Sequence, residues 1–155
     1  MSFDVDRING VHDALLGRAA ALKGDPAVAK RLNDLAQQVE ELRRKIVATK
    51  EGGAVTGEER IREKTTGLYG AILNYEGRPG DYQIARIDSL KKELDEVTRE
   101  FDSLLAKDLA AINKSLKQKK LQPIEPLSRQ AWDASNSESD AGAVTTTPAS
   151  HWERD

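Results

Sequence analysis

An all-α protein is what this sequence predicts, on three observations. Apolar residues recur at steps of three and four through four long stretches, Gly, Pro and capping residues punctuate the gaps, and nowhere does the alternation of a strand or hairpin compete. The 155 residues fall within the usual size of one domain, and 38% hydrophobic, 32% charged and 5% aromatic residues suit amphipathic helices better than a thick sheet core. The expected architecture is an antiparallel bundle of four helices joined by short loops over residues 1–124, followed by a disordered tail over 125–155.

The first helix is expected from about Asp4 to Lys23, with Val5, Ile8, Val11 or His12, Leu15, Ala19 and Leu22 on one side. "GDPAVAK" then marks a boundary: Gly24 suits a left-handed C-terminal position, Asp25 an N-cap and Pro26 the first helical turn, where no amide partner is lost. From Pro26 to about Lys50, Val28, Leu32, Leu35, Val39, Leu42 and Ile46 repeat at four-three-four-three-four spacing, a seam kept on one side for over three heptads. Gly52 and Gly53 break it, and Thr56 with Glu59 matches a capping box opening a third helix that runs to about Tyr75. In that helix Ile61, Thr65, Leu68, Ile72 and Tyr75 form the stripe, Tyr69 and Leu73 widen it, and Gly67 and Gly70 predict close approach of another helix. The fourth and longest pattern runs from Ile84 through Ile87, Leu90, Leu94, Val97, Phe101, Leu104, Leu105, Leu109, Ile112 and Leu116 to about Lys119. "LQPIEPL" leaves helical geometry because each Pro removes a donor and biases its predecessor toward extended backbone.

Several function classes are disfavoured at this level. A net charge of -2 supplies no field to gather nucleic acid or an anionic membrane, although Lys117, Lys119 and Lys120 cluster locally. The absence of Cys removes disulfides, thiol nucleophiles and Cys-based zinc sites. No stretch approaches the ~20 apolar residues of a membrane span, and the acidic N-terminus lacks the basic end and apolar run of a signal peptide. "EGRPGDYQ" has the glycines and the arginine of an anion loop, but a helix precedes it, no Lys-Ser/Thr pair follows, and Asp81 stands where an anion would sit. A hinge accounts for every residue: Gly77 ends the third helix, Pro79 stiffens the turn, and Gln83 completes a box with Gly80.

The His residues offer little chemistry. His12 lies near the apolar seam and His151 in the tail, and Asn9 and Pro148 occupy the positions where a di-iron bundle needs Glu. Glu93, Asp95, Glu96, Glu100 and Asp102 alternate with Lys91, Lys92 and Arg99 as on a solvated face with pairs one turn apart. "NKS" at Asn113 is a formal glycosylation acceptor placed inside a predicted helix. Trp132 and Trp152 in the tail read as partner anchors or as uncommitted sequence. No catalytic, cofactor-binding or metal-ligating residue is assigned.

The "GLYGAI…EGRP" junction with Gln83 shortly after it, the "FDSLLAKDLAAIN" segment and the closing "LQPI" together give the chain a likeness. From Met1 to about Ile124 it resembles the helical C-terminal region of large bacterial proteins with sortilin-like, BNR-repeat β-propellers, often labelled glycosyl hydrolases or sialidase-like. The resemblance implies a structural appendage that follows propellers in an exported protein. No Ser-x-Asp-x-Gly-x-x-Trp Asp-box occurs, so no hydrolytic residue transfers to this chain, and the resemblance implies an isolated C-terminal piece. The expectation is a non-catalytic interaction or scaffold module with a protein partner or adjoining propeller, without nucleic acid, membrane or cofactor. Two rivals stand beside it: a self-associating coiled coil, suggested by the seam from Val28 to Ile46 and extending to a weak homodimer along the fourth helix, and part of a glycosyl hydrolase-type enzyme whose active site lies in the propeller.

Overall fold

The computed structural model describes residues 1–22, 24–49 and 58–141, with the backbone alone for 137–141. Every regular element among them is helical: α1 (Ser2–Ala21), α2 (Pro26–Ile46), α3 (Ile61–Leu73), α4 (Asp81–Leu104), a π-helical segment (Leu105–Leu109), α5 (Ala110–Gln118) and α6 (Arg129–Ala141). The expected positions Thr56, Gly52, Gly53, His151 and Trp152 lie outside the described residues.

The α1–α2 turn forms largely as its residues dictate. Asp25 Oδ1 accepts from the Val28 amide at 3.1 Å and Pro26 takes the first helical position. Gly24 is not left-handed, since no described glycine has positive φ; Leu22 closes α1 at φ -95° instead, its amide donating to Arg18 and Ala19. The core collects Ile8, Val11, Leu15 and Ala19 from α1 and the whole predicted α2 seam, together with Ala36. That seam is therefore occupied within the chain, by α1 above all and by α4 and α5.

Residues 81–118 form one continuous rod of three segments, and the π turn has a physical cause. Leu109 follows Phe101 by eight residues, which at 3.6 residues per turn overshoots two full turns by about 80°. The wider i to i+5 turn over Leu105–Leu109 absorbs that surplus, so Leu109, Ile112 and Leu116 stay on the buried side with Leu90, Val97 and Phe101. At the far end Leu121 N–H donates to Leu116 O at 2.9 Å and Lys120 N–H to Lys117 O at 3.0 Å, a Schellman closure in which Lys120, at φ 59°, stands where Gly is usual.

Interhelical pairs set the register. Lys119 pairs with Asp25, and Lys45 Nζ lies 2.6 Å from Glu100 Oε2, so α2 runs beside residues 100–119 in the reverse sense. Hydrogen bonding from Lys119, backed by the Val28 amide, holds the Asp25 carboxyl below its ordinary value. Arg7 bonds Asp102 at 2.8 Å and its guanidinium lies 5.3 Å from the Phe101 ring centre, fixing α1 on the same rod.

Within α2, Glu40 is gripped by Arg43, through bonds of 2.6 and 3.0 Å, and by Arg44 at 2.9 Å. Hydrogen bonding from Arg43, then Arg44, outweighs burial and lowers the carboxyl to about 2. A carboxyl depressed when folded contributes stability above its ordinary value of 4.5 and loses it as pH falls toward 2. Glu40→Gln is expected to flatten the fall in unfolding free energy across that window by on the order of 2 kcal/mol, allowing for partial exposure, as read by denaturant titrations at stepped pH.

The segment after Ile124 departs from a disordered tail. Ile124 is buried, Asn113 Nδ2 donates to its carbonyl at 2.9 Å, and its amide donates to Asn113 Oδ1 at 2.8 Å. The chain then enters α6, where Trp132 Nε1 donates to Asp6 at 2.8 Å and its ring meets Phe3 edge-on at 5.9 Å. Arg129 covers both rings, at 5.3 Å from Phe3 and 5.1 Å from Trp132. Polar composition predicted no core here, and none forms; one aromatic anchor and a side-chain clamp hold the segment instead. Residues 142–155 lie outside the described part.

Candidate docking surface

Beyond Glu100 the rod has no α2 beside it. The stretch from Asp81 to Arg99 extends on the order of 28 Å at 1.5 Å per residue, and α3 is its main companion. These two helices make an arm, tied to the body by dense bonding at the start of α3. Glu63 Oε2 accepts from the Ala48 amide at 3.1 Å and the Arg60 amide at 3.2 Å, so one carboxylate ties the end of α2 to the start of α3. Burial pushes Glu63 up, but bonds from Arg62 and from the Glu63, Ala48 and Arg60 amides outweigh it and leave the carboxyl below its ordinary value. The helix start thus falls four residues later than the Thr56–Glu59 pattern implies, with Arg60 as N-cap and Glu63 at its third position.

Along α3 only Ile61 is buried, and from Asp81 to Glu96 only Gln83 and Leu90 are. Gly67 and Gly70 do not mark close helix packing, because a Cβ built on either meets nothing within 4 Å. The expected core members Ile84 and Ile87 are 49% and 44% exposed, and Tyr69 and Leu73 are 63% and 65% exposed. These four flank a single feature. An apolar groove of about 200 Å³ between α3 and α4 is lined by Met1, Ile61, Thr65, Leu68, Ile87 and Leu90 among others. Tyr69 and Leu73 continue the row of Thr65 at i+4 steps, and Ile84 precedes Ile87 on its own row, so the groove and the four exposed side chains share one face.

At the arm's tip the hinge reading of "EGRPGDYQ" matches the bonding. Gln83 Oε1 accepts from the Gly80 amide at 2.9 Å, which leaves that amide turned away from any anion. Gly77 does not cap α3; the helix ends at Leu73, and the Asn74 side chain donates back to Gly70 O at 2.8 Å. Tyr75 and Tyr82 stand exposed on either side of the turn.

Three members of the acidic face predicted on α4 pair with other helices, and Glu93 also pairs along its own. Glu93 meets Lys64 at 3.7 Å and Arg86 at 4.0 Å, Glu100 meets Lys45, and Asp102 meets Arg7. A groove of about 270 Å³ lies among Lys45, Arg60, Lys64, Glu93, Glu96 and Glu100, lined by charges of both signs. His12 flanks the α1 seam, half-buried, with Nδ1 3.1 Å from Asp13 Oδ1. No three His, Asp or Glu side chains among the described residues gather as metal ligands, and no described helix is long and apolar enough to cross a membrane.

The exposed face was missed by periodicity because the stripe on α3 and α4 is as regular as the one that is buried; the signal available was length, since α1 and α2 are too short to cover the whole rod. No protein family, curated protein or solved structure matches this chain.

Proposed function

We propose that this chain is a non-catalytic helical interaction module that docks protein through the α3–α4 arm. In this reading the four predicted helices divide their work: α1, α2 and the distal half of the rod form a packed antiparallel body, and α3 with the proximal half presents a binding face. The observation that carries it is the exposure of Tyr69, Leu73, Ile84 and Ile87 around one apolar groove, since aromatic and large aliphatic side chains grouped on one face of a small protein are the composition of a docking site. The resemblance to the region that follows sortilin-like propellers supports a scaffold role beside such a domain.

A photo-crosslinking residue at position 73 is expected to capture protein, and the same group at Lys30, an exposed body position, is expected to capture none. Equal labelling from both positions sinks the proposal. Turnover of a glycoside by the purified chain, abolished by one carboxylate substitution, overturns its non-catalytic part.

A further inference from the structure

We infer that the occupant of the arm's apolar face is a second copy of the same chain, the two arms pairing about a two-fold axis into a four-helix assembly. This rests on the proposed role of the arm as a docking surface. Two helices side by side cannot enclose a core, because each offers an apolar stripe about 100° wide and the two stripes meet along a line only. A second hairpin laid across that line closes the cross-section, which is the packing of four-helix bundles.

Area and charge both favour a like partner. Taking about 200 Å² for a fully exposed large side chain, Tyr69, Leu73, Ile84 and Ile87 expose roughly 400 Å² between them. A standard interface covers about 800 Å² per partner, a little over half of it apolar, so this face supplies close to the apolar share that a specific dimer needs. From Ile61 to Val97 the arm carries six basic residues (Arg62, Lys64, Arg78, Arg86, Lys91 and Lys92) against seven acidic ones (Glu63, Glu76, Asp81, Asp88, Glu93, Asp95 and Glu96). Near-neutral balance with alternating sign lets the surface meet its own copy without net repulsion, whereas a nucleic acid or an anionic lipid surface gains nothing from it. A two-fold contact is also self-complementary by construction, each arm giving the other the same groove and the same side chains.

Sedimentation equilibrium of the full chain across the micromolar range tests the inference. The expected result is a monomer–dimer equilibrium whose dissociation constant rises at least tenfold in Tyr69→Asp/Ile87→Asp, while Tyr82→Asp, on the other side of α4, shifts it less than threefold. Circular dichroism of each variant reports whether the helices persist. If the double variant unfolds, the native chain decides by hydrogen exchange, with arm amides from 65 to 90 gaining protection as its concentration rises. A strict monomer at high micromolar concentration, or a dimer indifferent to the arm substitutions, overturns the second-copy occupant. A monomer whose arm gains protection only with an added purified sortilin-like propeller overturns this inference and leaves the docking role standing; an arm protected by neither overturns both.

Discussion

Phe101→Ala is expected to lower the unfolding free energy by about 3–5 kcal/mol, the range for removing a large aromatic side chain from a core. Phe101 is 1% exposed and is among the largest fully buried side chains, at the level of the rod where α1 and the end of α2 are both still alongside. Its ring also carries the Arg7 guanidinium, which in turn holds Asp102, so truncation removes apolar contact and loosens an ion pair joining α1 to α4. Chemical denaturation monitored by circular dichroism measures the loss. Leu16→Ala is the control: on α1 and 43% exposed, it is expected to stay within about 0.5 kcal/mol of the native chain. Comparable losses from the two substitutions would mean that the core is not centred where the burial places it.

Asn113→Ala is expected to cost about 2–3 kcal/mol, more than an ordinary polar deletion. Its side chain serves as both donor and acceptor to Ile124, so its removal leaves a buried residue's amide and carbonyl without those partners. The same substitution should speed exchange of the Ile124 amide and release the segment leading to α6, without disturbing the α1–α2 pair. Faster exchange confined to Ile124 and its neighbours, with a lowered denaturation midpoint, checks the prediction; an unchanged midpoint refutes it. The bonding also bears on the "NKS" motif: a glycan on Asn113 Nδ2 would replace one of the two hydrogens on a nitrogen that lies 2.9 Å from Ile124 O, so glycosylation here crowds the observed closure.

Sequence alone specifies a helical protein, the starts of α2 and α4, the end of the rod near Lys119, and most of the buried residues of α1 and α2. Those properties are local: a cap bonds within four residues, and an apolar stripe on a helix of a single rotation needs no knowledge of its neighbour. It also placed the Gly80–Gln83 bond at the hinge, for the same reason. Which stripes are covered depends on how far the packed helices reach along one another. Ile84 and Ile87 obey the same period as Leu90 and Val97, yet they stand half exposed because α2 ends beside Glu100 and, among the described residues, α3 with Met1 covers the rod only in part farther along. Gly67 and Gly70 permit a close approach that no described helix makes, and Trp132 gained a place through Phe3 and Asp6, more than a hundred residues away in the chain. Periodicity states that a face must be hidden from water; how far each neighbouring helix reaches decides whether the chain hides that face itself or leaves it for another molecule.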